Sequence, residues 1–175
     1  MPDAAALLLM FAVLPLWVGA GLADWWCHRR SSIESTSGMP ESMFHLVLFA
    51  QMGVAGLAAM LLQVNAALLA LLAALFLLHE LTTWFELRFV LPRRQVGAAE
   101  QMVHSFMEVL PLAALFLLAV LSWGEPDWSL RIKDRPLPAS YVLGACAAIA
   151  VFNLVPLLEE AWRCWRAGAR QPGRK

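Results

Sequence analysis

Long runs of apolar residues alternate with short polar segments along most of this chain. A helix needs about 20 apolar residues to cross the hydrocarbon core of a bilayer, and five of these runs reach that length. The pattern predicts a single membrane domain over residues 1–175, with a basic tail over residues 163–175. We expect transmembrane helices at about residues 4–28, 41–62, 65–89, 97–123 and 139–162.

The polar breaks between the apolar runs are clearly marked. Residues 29–40 contain Ser, Thr, Gly and Pro without an apolar run, which is typical of a loop. Residues 63–65 leave room only for a tight turn, so the second and third helices are expected to form an antiparallel hairpin. Pro92 ends the third helix. Residues 124–138 are expected to form a polar loop between the fourth and fifth helices, at the membrane surface opposite to Pro92.

Composition supports a membrane protein. Hydrophobic residues make up 61% of the chain, whereas about half is usual in soluble domains. Eight Trp residues against one Tyr also suit a bilayer, because indole rings favour its interfaces. The formal net charge is zero, so nothing indicates nucleic-acid binding.

Basic residues are concentrated on one side of the five-span topology. Only Arg131, Lys133 and Arg135 lie on the other side, beside acidic residues. The positive-inside rule therefore predicts that the N-terminus lies outside and the C-terminus in the cytoplasm. The residues on the cytoplasmic side are Arg29, Arg30, Arg88, Arg93, Arg94, Arg163, Arg166, Arg170, Arg174 and Lys175.

All four histidines lie near the ends of different apolar helices, close to a carboxylate. Residues four or seven apart share a helix face, and every pair falls on the predicted cytoplasmic side. Ionisable groups at this depth are costly, which makes them candidates for a functional site. The candidate pairs are Asp24/His28, Glu41/His45, His79/Glu86 and Glu100/His104, with Glu108 one turn further along.

The residue types in these pairs point to a metal site. One pair alone is explained as well by an interfacial His or a surface ion pair, but four pairs on four helices favour metal binding. The pattern resembles carboxylate-bridged di-iron and di-manganese bundles, although the spacing here is [DE]-x-x-x-H instead of E-x-x-H. We predict two metal ions, with Fe or Mn favoured and Zn as the alternative.

A weak internal repeat organises these motifs. An Arg-Arg pair followed by an E-x-x-x-H motif occurs at residues 29–30 and 41–45, and again at residues 93–94 and 100–104. Helices 1–2 and 3–4 are therefore expected to be parallel repeats about an axis along the membrane normal. The predicted fold class is an all-α polytopic four-helix bundle of two helix-pair repeats, plus a fifth transmembrane helix.

The remaining charged residues have structural interpretations. Glu159 and Glu160 are expected to pair with Arg163 on the surface. The arginines at 29–30 and 93–94 are explained best by topology. Two alternatives are that they attract an anionic head group or that they close the site by pairing with carboxylates.

Two long motifs stand out along residues 24–45 and 79–111. Their residues are Asp24-Trp25-Trp26-Cys27-His28-Arg29, Ile33-Glu34-Ser35-Thr36-Ser37-Gly38, Glu41-Ser42, His45, His79, Thr82, Trp84, Glu86, Pro92-Arg93-Arg94, Glu100-Gln101, His104-Ser105, Glu108 and Pro111. With these motifs the chain resembles a family of small bacterial integral membrane proteins over about residues 10–120. The resemblance implies location in the bacterial inner membrane but no particular activity. It adds Glu34, in an I-E-x-T-x-G stretch, which either folds back as a ligand or caps a turn.

The predicted site favours a membrane-embedded oxidoreductase that uses oxygen or peroxide and acts on a lipid-soluble substrate. Whether a separate electron donor is a partner is left open by the sequence. One alternative is a Zn- or Mn-dependent membrane hydrolase. Another is a non-enzymatic b-type haem protein or metal-binding subunit. The sequence contains no G-x-G-x-x-G or Walker motif for a nucleotide or flavin. It leaves the catalytic residues, the substrate and the oligomeric state open.

Overall fold

The computed structural model describes residues 2–124 and 126–170, and these ranges form an all-α bundle of five membrane-length helices. Within them no strand occurs, only an isolated bridge between Leu62 and Ile132. The predicted all-α multi-pass fold is confirmed. Arg174 and Lys175 of the predicted tail lie outside the described residues. The helices are α1 (Ala4–Ser31), α2 (Met39–Leu61), α3 (Ala66–Val90), α4 (Ala98–Leu121) and α5 (Ala139–Ala169).

The predicted helix boundaries are close for α2, α3 and α4 and too short for α1 and α5. Helix α1 continues to Ser31, where Ser32 adopts a left-handed conformation with φ 52° and ends it. Helix α5 continues through most of the segment assigned to the basic tail, as far as Ala169. Hydropathy missed these turns because both contain arginines, Arg29 and Arg30 in α1 and Arg163 and Arg166 in α5.

The packing order of the helices shows how the predicted repeat is arranged. Helix α1 packs on α4, and α2 packs on α3. The predicted repeat relates α1 to α3 and α2 to α4, so these two contacts are equivalent. Helices α3 and α4 also touch each other. Helix α5 packs against both α1 and α2 and lies between them. The fifth helix therefore breaks the symmetry of the repeat on the α1–α2 side.

The contact between α1 and α5 involves an irregularity in each helix. Both contain a short π-helical segment, Leu9–Val13 in α1 and Ala150–Leu154 in α5. Within the second segment, the amide of Asn153 donates a hydrogen bond to the carbonyl of Val18. A Cβ atom at Gly21 would overlap that amide, so this glycine permits the close approach of the two helices.

Aromatic and arginine side chains form pairs at one end of the bundle, where α1 and α3 end and α2 and α4 begin. We call this the arginine-rich end. In each pair a guanidinium lies 4.5 to 6.0 Å from an indole centroid one turn away. Such pairs suit the head-group region, where aromatic rings and cations are both favoured. The pairs are Trp25/Arg29, Trp26/Arg30, Trp84/Arg88 and Trp162/Arg166.

The opposite end of the bundle is held by a loop that packs on the α2–α3 hairpin. Lys133 donates hydrogen bonds from its ammonium group to the carbonyls of Ala59, at 2.5 Å, and Leu62, at 2.7 Å. These carbonyls belong to the C-terminal turn of α2, which has no further helical partners for them. A cation near the C-terminus of a helix also interacts favourably with the helix dipole. Burial lowers the pKa of Lys133.

We predict that Lys133→Met destabilises the protein by about 1 kcal/mol, because two carbonyls lose a charged donor. The thermal unfolding midpoint in detergent, followed by tryptophan fluorescence, measures the change. Arg135→Met is the matched control, since Arg135 is exposed on the same loop. Equal midpoints for both variants would contradict the capping role of Lys133.

Candidate metal centre

Most of the predicted ligands meet inside the arginine-rich end of the bundle. Among the histidines, His28 is the most enclosed, with 1% of its surface exposed. Its Nδ1 lies 3.0 Å from Oε2 of Glu160. Its Nε2 faces two other carboxylates, at 3.2 Å from Oε1 of Glu100 and 3.5 Å from Oδ1 of Asp24. His28 therefore connects carboxylates from α1, α4 and α5.

His45 on α2 makes contacts similar to those of His28. Its ring stacks on that of His28, with centroids 4.4 Å apart and an interplanar angle of 5°. Its Nδ1 lies 2.7 Å from Oε1 of Glu160, and its Nε2 lies 2.7 Å from Oε1 of Glu86. The ring of His45 thus joins α2 to α3 and α5 through two carboxylates.

Glu160 is the residue that sequence reasoning placed wrongly. It is 1% exposed and divides its two carboxylate oxygens between His28 and His45, so the predicted surface pairing with Arg163 is wrong for this residue. Glu159 does lie at the surface, where it accepts from Arg29 at 3.0 Å and contacts Arg163 at 3.5 Å.

The misplacement of Glu160 has a simple geometric cause. Helix α5 enters between α1 and α2, which turns position 160 toward the interior and position 159 away from it. A signal for this was present in the sequence, because Glu160 lies seven residues from Asn153 and shares its helix face. Two polar residues on one face of an apolar span indicate an inward orientation.

His104 and Asp24 form a second group beside His28. Nε2 of His104 lies 2.9 Å from Oδ1 of Asp24, and its ring meets that of His28 edge-on, with centroids 6.2 Å apart. Despite these short distances, Oδ1 of Asp24 and Nε2 of His28 are buried without a hydrogen bond of suitable geometry to any described residue. Buried polar atoms are rarely left this way unless an ion or water satisfies them.

Arg94 joins the two glutamates that open α2 and α4. Its guanidinium donates to Glu41 through Nε, at 3.1 and 3.2 Å, and to Glu100 through Nη1, at 3.0 Å. The hydroxyl of Ser37 also donates to Glu41. Burial lowers the pKa of Arg94, but the bonds to Glu100 and Glu41 outweigh it and raise the pKa overall. The guanidinium therefore stays charged and orients both carboxylates.

Three of the predicted ligands stand apart from this cluster. Glu34 is paired with Arg163 at the surface of the bundle. His79 is 6% exposed, and its Nδ1 has no hydrogen-bond partner within the described ranges. Glu108, like His79, lines a cavity next to the cluster.

That cavity has a volume of about 380 Å³ and lies inside the bundle. Its polar end is formed by carboxylates and imidazoles of the cluster, including His28, His45 and Glu160. Toward the other end its walls are almost entirely apolar, with residues such as Trp17, Met52 and Met60. Ligand pockets commonly have this size and this balance of apolar wall and few polar groups.

The cluster contains two sets of side chains that meet the spacing for metal binding. Ligand atoms of Asp24, His28 and His104 lie within 4.8 Å of one another, and so do those of His28, Glu41 and His45. Imidazole and carboxylate ligands suit Fe, Mn and Zn. The two unpartnered atoms of Asp24 and His28 belong to the first set, so the residues present fit a bound metal ion.

No protein-family model, curated protein or solved structure matches this chain. The resemblance to small bacterial integral membrane proteins therefore stays a prediction from the motifs. What the protein does has to be argued from the cluster and the cavity.

We predict that Glu160→Ala destabilises the protein by about 3 kcal/mol, because two buried imidazoles lose their shared carboxylate. The neighbouring variant Glu159→Ala should cost less than about 1 kcal/mol, since its ion pairs are partly exposed. The midpoints of thermal unfolding in detergent provide the comparison. If the two variants unfold at the same temperature, Glu160 does not hold α5 to α1 and α2.

Proposed function

We propose that this chain is a membrane-embedded, metal-dependent oxidoreductase that acts on a lipid-soluble substrate. The observation that carries the proposal is the direct connection between the buried cluster of imidazoles and carboxylates and the apolar cavity of about 380 Å³. A substrate in that cavity reaches the cluster without leaving the membrane interior.

The ligands divide between the two halves of the bundle. Asp24, His28 and His104 would hold one ion, from α1 and α4. His45, with Glu41 and Glu86, would hold a second ion from α2 and α3. A pair of Fe or Mn ions supplies one- and two-electron chemistry, and Zn is the redox-inactive alternative for the same ligands.

The other charged residues of the cluster position these ligands. Glu160 fixes the rings of His28 and His45 through their Nδ1 atoms, which leaves Nε2 of each ring facing other ligands. Partners of this kind orient metal-binding imidazoles and raise their basicity. Arg94 restrains Glu41 and Glu100 in the same way. The arrangement leaves the apolar cavity as the open side of the centre.

The stacked imidazoles favour this proposal over a haem protein. Centroids 4.4 Å apart at an angle of 5° leave no space for a porphyrin plane between His28 and His45. Both nitrogens of each ring also face carboxylates, so neither nitrogen is free to be an axial ligand of haem iron, whereas a small ion could bind carboxylate and imidazole together. A dinuclear centre requires both ligand types.

We also propose that the arginine-rich end faces the cytoplasm of a bacterial inner membrane, so that the C-terminus is inside and the N-terminus outside. Support comes from the concentration of Lys and Arg at that end. The guanidinium–indole pairs at Trp25, Trp84 and Trp162 are typical of a membrane interface and support this proposal.

We predict that the protein purified in detergent contains about two Fe or Mn ions per chain and shows no Soret band. Elemental analysis and the absorption spectrum measure both properties. His45→Ala and His104→Ala should each lose most of the metal. Asp134→Asn, which changes a carboxylate in the opposite loop, should retain it.

Other results of the same measurement would replace the proposal. Two Zn ions would favour a hydrolase, in which a metal-bound water attacks the substrate. A Soret band would indicate haem. Equal metal content in His45→Ala, His104→Ala and Asp134→Asn, or no metal in the wild type, would reduce the cluster to an ion-pair network.

We predict that reporters fused at residue 64 and after the C-terminus report opposite sides of the membrane. Residue 64 lies in the α2–α3 turn, and the C-terminus follows α5, which ends at the arginine-rich end. A periplasm-active phosphatase should be active at residue 64 only, and a fluorescent protein that matures in the cytoplasm should be fluorescent at the C-terminus only. The reverse pattern would refute the proposed orientation.

A further inference from the structure

The cavity has two parts that differ in which helices line them. Near the cluster all five helices contribute, including His79 and Glu86 of α3 and His104 and Glu108 of α4. We call this part the head chamber. Beyond it, α1, α2 and α5 are the only described parts of the chain that line the cavity, as far as Leu14, Met60 and Cys146 respectively. We call this part the tail channel.

The cavity runs parallel to the helix axes. On α2 its lining positions recur every three or four residues from His45 to Met60, so that one face of the helix follows it. Fifteen residues of helix rise about 22 Å, and the corresponding stretches of α1 and α5 are of similar length. A volume of about 380 Å³ spread over that length is wide enough for one hydrocarbon chain.

The head chamber contains a polar atom that no described residue satisfies. Nδ1 of His79 is buried, lies beside the chamber and has no hydrogen-bond partner within residues 2–124 and 126–170. His79 is two turns, about 10 Å, further from the arginine-rich end than Glu86 on the same helix. A buried nitrogen of this kind requires a polar atom from elsewhere.

Two glycines of α2 shape the tail channel. Gly53 and Gly56 both line the cavity, and a Cβ atom at either position would meet nothing within 4 Å. They lie about 12 and about 16 Å of helix rise from His45. A larger side chain at Gly56 would therefore begin in open space at the wall of the channel.

We propose that the cavity binds a lipid-soluble molecule with an oxygen-bearing head and a single hydrocarbon tail. The head lies in the head chamber, between the cluster and Nδ1 of His79, and the tail follows α2 past Gly53 and Gly56. This inference rests on the proposed function for its reactive centre, but the binding itself does not require the metal. Isoprenoid quinones and long-chain fatty alcohols share this chemistry.

Binding of a tritium-labelled quinone with a saturated tail to the detergent-purified protein tests the proposal. Scintillation proximity should show saturable binding that persists after the metal is removed with a chelator. An alkane without a head should not compete. Competition by unlabelled quinone but not by a fatty alcohol shows that the chamber accepts a quinone head, and competition by both shows that it accepts either head. The absence of saturable quinone binding overturns the proposal.

Two variants separate the contributions of head and tail. Gly56→Leu should weaken binding of the tailed quinone at least tenfold and leave binding of a tailless quinone unchanged. His79→Ala should weaken binding of both at least tenfold. Gly144→Leu is the matched control, because Gly144 is exposed on α5, does not line the cavity and also has open space at its Cβ.

If Gly56→Leu and Gly144→Leu change the affinity for the tailed quinone equally, the proposal that the tail lies in the tail channel is overturned. Gly56→Ala provides a milder change if the leucine variant does not fold, and the wild-type affinities for tailed and tailless quinones test the same point without any substitution. Equal affinities for those two ligands would also overturn the proposal. Ligand binding without metal in the purified protein would refute the proposed function alone, whereas metal without ligand binding would refute this inference alone.

Discussion

The carboxylate of Glu160 is the contact on which the rest of the site depends. Charged groups inside a membrane bundle are tolerated only when they meet partners, because desolvation is costly there. Glu160 accepts from His28 with one oxygen and from His45 with the other, so one side chain of α5 orders α1 and α2 together. The stacking of the two rings follows from that shared partner.

The same contact explains why a repeated sequence builds an asymmetric site. Helices α1 with α4 and α2 with α3 form two equivalent halves, and Arg94 links the equivalent residues Glu41 and Glu100. Helix α5 has no counterpart in the repeat and enters on one side only. Its insertion separates α1 from α2 and leaves a cavity along all three helices. The apolar cavity beside the cluster is therefore a consequence of the broken symmetry.

Much of the candidate site was predictable because its members belong to periodic apolar helices. The helix faces of Asp24, His28 and His45 follow from spacing alone, and these side chains do meet in the structure. Glu34 was less predictable, since a loop residue has no periodicity to orient it, and it pairs with Arg163. The sequence favours a topological role for the arginines at 29–30 and 93–94 and leaves pairing with carboxylates as an alternative. In the structure Arg94 does pair with two glutamates. Spacing also does not distinguish a ligand from a residue that lines a cavity, which is the position of His79.

By itself the sequence determined the membrane location, the five spans, the hairpin turn and the end of the bundle that carries the ionisable pairs. Each of these depends on local hydropathy, charge and helix period, which are properties of neighbouring residues. Only the tertiary structure decided that α5 lies between α1 and α2, that Glu160 faces inward and that the cluster opens onto an apolar cavity. These features depend on how helices far apart in the chain pack, and apolar helix faces in a bilayer do not specify their partners by sequence pattern alone.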